Sequence, residues 1–159
     1  MVGDQRIEQS WATPSLTEIP VLSQAHVAAM ETRDDDAIWV QAGMPHILLR
    51  TLGRRSGREH KVALPTWTDP DGHRVVVASF AGAPAHPAWF VNLRDRTANP
   101  EVWCRVREGA FWSVPEILAG GERARIWGLL TADRAWYLDY QARTDREIPL
   151  VRLPETRPA

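Results

Sequence analysis

Between Arg50 and Lys61 the chain places five basic residues, Arg50, Arg54, Arg55, Arg58 and Lys61, against the single acid Glu59, a local charge of +4. Gly53 and Gly57 punctuate this run as a turn, where backbone N–H groups can approach an anion closely and arginine forks can add charge-assisted bonds. The chemistry within its reach is capture of a phosphate or carboxylate chain. Composition alone leaves a solvated basic hairpin equally open. The run is not a P-loop, because the spacing of a glycine-lysine phosphate cradle is absent.

A second segment runs from Ala78 through Ser79, Phe80, Gly82, His86, Pro87, Trp89 and Asn92 to Leu93. An apolar strand leads here into a loop of small residues and then into a helix start. Such a junction offers free N–H groups and the positive end of a helix dipole, and its small side chains let a flat ring lie against the backbone. By pattern alone it also reads as an ordinary strand-loop-helix connection.

Other chemistries find less support. The five histidines, at 26, 46, 60, 73 and 86, lack the close spacing of a zinc site, and one cysteine cannot complete a thiolate site. No metal is expected. Ser56 and Ser79 lack a convincing histidine and acid partner in the local sequence, so hydrolase chemistry is not expected. His86, between prolines, reads as a structural residue that shapes its turn. Cys104 shares a strand face with Val102 and Val106 and reads as a small core residue.

The elements that must position these segments follow from periodicity and punctuation. A chain of 159 residues with 44% hydrophobic and 25% charged residues fits one domain with its own core. Residues 1–44 read as an irregular arm followed by helices: a helix from about Val21 with Ser23 as its N-cap, then a short helix opened by Asp34-Asp35-Asp36. Residues 45–159 read as the main domain. Strands are expected over His46–Leu52, Glu59–Trp67, Arg74–Ser79, Val102–Val106 and Ala110–Ile117, with a last extended piece over Ile148–Leu153. Helices are expected around Trp89–Arg94, Glu122–Thr131 and Asp133–Arg143. The sum is an α+β or small-barrel arrangement of antiparallel strands with peripheral helices.

Net charge −1 gives no general attraction to nucleic acid. A lone cysteine, no signal-peptide pattern and no long apolar run together predict a cytoplasmic protein with no integral membrane segment. Eight tryptophans are many for this length and suit core or pocket walls.

The two segments together, Thr51-Leu52-Gly53-Arg54-Arg55-Ser56-Gly57 and Ala78-Ser79 through Gly82-Ala83-Pro84, His86-Pro87, Trp89-Phe90 and Asn92-Leu93, resemble the deazaflavin-dependent nitroreductase family. Ala98-Asn99-Pro100-Glu101-Val102 and the stretch Tyr140–Leu150 continue the resemblance, which spans roughly Pro45 to Leu153 in order. It implies a split β-barrel of about six mostly antiparallel strands that binds coenzyme F-420, a deazaflavin with a phosphodiester and an oligoglutamate tail. FMN is the lesser option. By that similarity Arg54, Arg55, Ser56, Gly57, Arg58 and Lys61 hold the anionic end, and Ala78, Ser79, Phe80, Trp89 and Asn92 line the phosphate loop and ring.

The resemblance further implies an oxidoreductase that transfers a hydride from the reduced deazaflavin to an electrophilic small molecule: a quinone, an activated alkene or a nitro compound. Tyr137 and Tyr140, three apart on one helix face, match tyrosines that face the substrate in the family's nitroreductases. With Ser79 they are the candidate proton donors, Tyr137 ahead of Tyr140. A homodimer is compatible with the fold. The chain departs from the family where Phe80-Ala81-Gly82 replaces a pattern that often carries a lysine and paired glycines. That departure motivates two rivals: an isomerase or cyclase without redox turnover, and a non-catalytic binder of the cofactor or a lipophile.

Overall fold

The computed structural model describes residues 3–159; Met1 and Val2, the first residues of the expected arm, lie outside the described residues. Strand β1 (Val40–Gln41) turns through Ala42 and Gly43, both in the left-handed region, into β2 (Met44–Leu52). Around β2 an antiparallel sheet assembles from β3 (Glu59–Pro65), β6 (Val102–Val106), β7 (Gly109–Ser113) and β10 (Arg157–Pro158). A second antiparallel sheet holds β4 (Trp67–Thr68), β5 (Arg74–Val77), β9 (Leu150–Leu153) and β8 (Glu116–Ile117), in the order β4-β5-β9-β8. Among the described residues no strand pair joins the two sheets, so the barrel stays split.

The expected α+β fold class stands, with ten strands among the described residues against an expectation of about six. The surplus comes from short segments. Pro65 ends β3, and the chain crosses to the other sheet at Thr66, whose N–H donates to the Pro45 carbonyl at 2.8 Å. The expected strand Ala110–Ile117 likewise splits: Ser113 closes β7, and past Pro115, which has no N–H to give, Glu116 and Ile117 pair with Arg152 and Val151 of β9.

Between the sheets lies a core in which Ile47 and Leu49 of β2, Cys104 of β6 and Val76 of β5 are fully buried. Burial pushes the Cys104 thiol up to about 12, consistent with a packing role. Helix α2 (Ala88–Leu93) closes one end of this core with Trp89, Phe90 and Leu93. Helices α3 (Gly120–Asp133) and α4 (Trp136–Ala142) pack Ile126, Leu130, Trp136, Tyr137 and Tyr140 against Val75 and Leu150.

Helix α1 (Glu18–Thr32) lays Val27 and Met30 on Leu48 and Ala63. It begins before Ser23, which is therefore not its N-cap. Pro20 falls in the first turn, where a missing N–H costs no helical bond, and the Ser23 hydroxyl instead accepts from the Ala63 N–H at 3.1 Å. The expected acidic start of the next element is present: Asp35 caps a 3-10 turn over Asp36–Trp39 by accepting from the Ala37 N–H.

Candidate active site

The basic run is the β2–β3 turn. Gly57 takes φ +69°, its N–H returns to the Gly53 carbonyl at 2.9 Å, and the Gly53 N–H donates to the Arg58 carbonyl at 2.8 Å. The backbone N–H and the guanidinium of Arg54 both donate to Asn92 Oδ1 of α2, each at 3.3 Å. Asn99 completes the tie. Its side chain exchanges two bonds with the Leu52 backbone, at 2.7 and 2.8 Å, and donates a third to the Asn92 carbonyl at 2.8 Å. The arginine turn and the loop ahead of α2, far apart in sequence, are thereby held side by side.

They meet at a cleft of about 860 Å³, within the range of small-molecule sites. Of the expected residues, Arg54, Lys61, Ser79, Phe80, Trp89, Asn92, Tyr137 and Tyr140 line it. Arg55, Ser56, Gly57 and Arg58 are exposed on the same turn as Arg54 and are not among the residues that line the cleft, and Ala78 is fully buried in the core. Lys61 is neutralised in part by Glu31 at 2.7 Å. Arg54, Arg55 and Arg58 form no ion pair among the described residues.

The walls away from the arginines are apolar and aromatic: three of the eight tryptophans, Trp11, Trp89 and Trp136, face the cleft. Tyr137 is buried, and desolvation raises its phenol to about 12, against the pull of the Arg134 charge. Its proton is therefore retained at neutral pH. Tyr140 meets Tyr137 edge-on at 5.9 Å, and its hydroxyl shares a 3.2 Å hydrogen bond with Thr13 Oγ1. The Ser79 hydroxyl has no side-chain partner among the described residues.

Three features were not singled out as site residues by the sequence. The N-terminal arm reaches the cleft: Trp11 packs edge-on against Trp136 at 5.1 Å, anchored by the Ile7 N–H to the Asp133 carbonyl and by Gln5 on Thr68. Arg146 holds the loop between β5 and α2 through its carbonyls, and His86 of that loop lines the cleft. Asn99 carried a faint signal in the Asn99-Pro100 break. Arg146 lay within the resembling stretch Tyr140–Leu150, but its role in bracing the loop had no local signal, because the carbonyls it holds lie more than 60 residues away.

A deazaflavin with an anionic tail fits this donor set: Arg54 and Lys61 line an aromatic-walled cavity, and Arg55 and Arg58 lie exposed on the same turn as Arg54. The model of the F420H(2)-dependent quinone reductase family matches residues 23–155. The chain belongs to that family. Over 143 residues it is 31% identical to the F420H(2)-dependent quinone reductase Rv1261c of Mycobacterium tuberculosis, covering 82% of this chain and 93% of that protein. The solved structure of an F420-H2 dependent reductase (FDR-A) superposes with TM-score 0.58 at 32% identity, over 69% of this chain and 94% of that one. A chain solved as a domain-swapped dimer gives TM-score 0.59 at 27% identity, over 87% and 94%.

Family membership agrees with the reductase activity and the cofactor that the motifs imply, and gives no support to the isomerase, cyclase or carrier alternatives. The family match begins at residue 23, so the arm that supplies Trp11 and Thr13 lies outside it. Among the described residues no helix is long and apolar enough to cross a membrane, and no group of histidine, cysteine and acidic side chains could hold a metal.

Proposed function

We propose that this chain is a cytoplasmic quinone reductase dependent on reduced coenzyme F-420, in which the turn Gly53–Arg58 holds the anionic end of the cofactor and Tyr137 serves the acceptor. When bound, reduced coenzyme F-420 supplies a hydride to an electrophilic acceptor. The remaining work falls to the protein. Arg54, Arg55 and Arg58 offer guanidinium forks, and Ser56, Gly57 and Lys61 complete the basic rim. Asn92 and Asn99 fix the turn to α2. Ala78, Ser79, Phe80 and Trp89 shape the wall against which a flat ring can lie.

Tyr137 holds a phenolic proton at neutral pH, Tyr140 presents a second hydroxyl, and the Ser79 hydroxyl is free to donate a third. Trp11 and Trp136 narrow the cavity and exclude water around a planar, greasy acceptor. Residues 45–159 form the cofactor-binding domain in this reading, with the segment before them as a cover. A homodimer would suit the same fold, as in the neighbour solved as a domain-swapped dimer.

The observation that carries the reading is one cleft lined by Arg54, which has no carboxylate partner among the described residues, and by Tyr137 and Tyr140. The test mixes purified protein with reduced coenzyme F-420 and a soluble quinone and follows cofactor oxidation by absorbance. Quinone-dependent oxidation faster than in the protein-free control is the expected result. Binding of the cofactor without turnover of any quinone would overturn the assignment.

A further inference from the structure

The loop between β5 and α2 carries a conformation that needs support. Phe80 and Ala81 both lie in the left-handed region, at φ 44° and 51°, ahead of Gly82 at 78°. For residues with a Cβ this region is disfavoured, because Cβ crowds the following carbonyl oxygen. The support comes from the segment after α4. Arg146 Nε donates to the Ala83 carbonyl at 2.8 Å, Nη1 to the Ala78 carbonyl at 3.1 Å and Nη2 to the Ser79 carbonyl at 2.7 Å. Arg143 adds a bond to the Ala81 carbonyl at 3.3 Å.

One contact of Arg146 goes beyond bracing. Its Nη1 lies 3.0 Å from His86 Nδ1. A guanidinium has donors only, so Nδ1 must be the acceptor, and the imidazole is the neutral tautomer with its proton on Nε2. Burial first, then the charges of Arg146 and Arg94, hold the His86 pKa below its ordinary value, in agreement with a neutral ring. Phe90, 5.0 Å away, packs on the ring. Nε2 has no partner among the described residues, while the ring lines the cleft beside Arg54 and Asn92. A histidine set this way is a fixed N–H donor, in a field of nearby guanidinium charges, in the wall of the cleft.

We propose that His86 is a binding residue for an anionic oxygen of the phosphate-bearing chain of the cofactor, and that Arg146 is the positioning residue that presents its Nε2–H to the cleft. The proposal rests on the reductase reading for the identity of the ligand, but the tautomer does not. Nitrogen-15 NMR of the cofactor-free protein should show His86 with an unprotonated Nδ1 and a protonated Nε2 at neutral pH. In Arg146→Lys, folded by its circular dichroism, that signature should blur toward a mixture of tautomers. A wild-type His86 that is charged, or protonated at Nδ1, overturns the proposal whatever the protein binds.

Binding is then measured by fluorescence titration with two probes, oxidised coenzyme F-420 and the deazaflavin riboside that lacks the phosphate. His86→Asn keeps an acceptor near Arg146 but removes the cleft donor; His86→Gln can return an amide N–H to the Nε2 position. Asparagine should weaken coenzyme F-420 binding about tenfold, the size of one lost charged hydrogen bond, with riboside binding unchanged. Glutamine should recover most of the loss. Equal affinity of the asparagine variant and wild type, or an equal loss for both probes, defeats the assignment of His86 while leaving the reductase reading intact. No binding of coenzyme F-420 by the wild type would instead defeat the reductase reading, and with it the ligand proposed for His86.

Discussion

Arg54 and Arg55 sit on an exposed turn with no carboxylate partner among the described residues, so their charge is available to a ligand and contributes little to the fold. Replacing both with alanine should weaken coenzyme F-420 binding by about 10- to 100-fold, at about 1.5–3 kcal/mol per charged hydrogen bond with partial compensation from Arg58. The dependence of affinity on salt should flatten, and stability should fall by no more than about 1 kcal/mol, the size of the lost Arg54–Asn92 hydrogen bond. Titrations at several ionic strengths check this; unchanged affinity would make the turn mere surface. Tyr137→Phe should behave oppositely. With the phenol raised to about 12 the proton stays bound through the working range, so its removal should leave cofactor binding near wild type and lower kcat on the order of 10²-fold. Full turnover in that variant would pass the proton-donor role to Tyr140 or Ser79. At this scale the sequence displayed residues whose type announces chemistry: an arginine cluster, paired tyrosines, a serine in a small-residue loop. It showed His86 and Arg146 only as members of the resembling motifs and hid their pairing, which acquires meaning only when packing sets them 3.0 Å apart.

The elements that carry the site differ in how much their conformation is constrained. Gly82 has φ +78°, and a Cβ there would lie 2.4 Å from the Tyr140 carbonyl oxygen and 3.0 Å from Arg143 Cβ, so backbone blocks the space as well as the dihedral. Gly57 has φ +69° with nothing near the position its Cβ would take. Gly57→Ala should therefore cost about 1–2 kcal/mol, the left-handed penalty alone. Gly82→Ala should cost about 3 kcal/mol or more, since overpacking against α4 adds to that penalty. Urea denaturation with an unchanged m-value measures both; equal losses would mean that the loop and α4 are not tightly apposed. Strands such as Arg74–Val77 were legible because both faces are apolar, and the turn at Gly53–Gly57 because glycine brackets it. Helix α1 starts at Glu18, ahead of the expected Val21, because a helix tolerates Pro20 in its first turn. The arm was legible only as irregular chain: Trp11 and Thr13 find α4 through tertiary contacts more than 120 residues away, beyond the reach of any local pattern.

For the molecule as a whole, acid stability turns on one histidine of a pair between α1 and β2. His46 on β2 lines the cleft, donates Nδ1–H to the Met44 carbonyl at 2.9 Å and faces the His26 ring at 4.8 Å. Burial chiefly, with smaller repulsion from His26 and Arg134, lowers its pKa to about 4, against the bond to Met44 that would raise it. The native state thus holds this ring neutral, whereas the unfolded chain protonates it near 6.5. The sign follows: the contribution of His46 is complete above about pH 6.5, and it is lost as the pH falls toward 4, where the unfolded state binds the extra proton. The shift corresponds to roughly 3 kcal/mol across that window. Carboxylates held below their usual range, Glu101 by Arg157 and Glu122 by Arg125 and Arg152, lose their stabilisation in the same direction but at lower pH. Chemical denaturation at pH 7 and pH 4.5 should show the wild type losing most of this 3 kcal/mol. In His46→Gln, which keeps an amide donor and cannot titrate, the loss over the same interval should be at most about half as large. His26 supplies the internal check, since its ring nitrogen already engages the Ile38 carbonyl. If His26→Gln flattened the profile as much as His46→Gln, the acid sensitivity would belong to the pair and not to the buried ring.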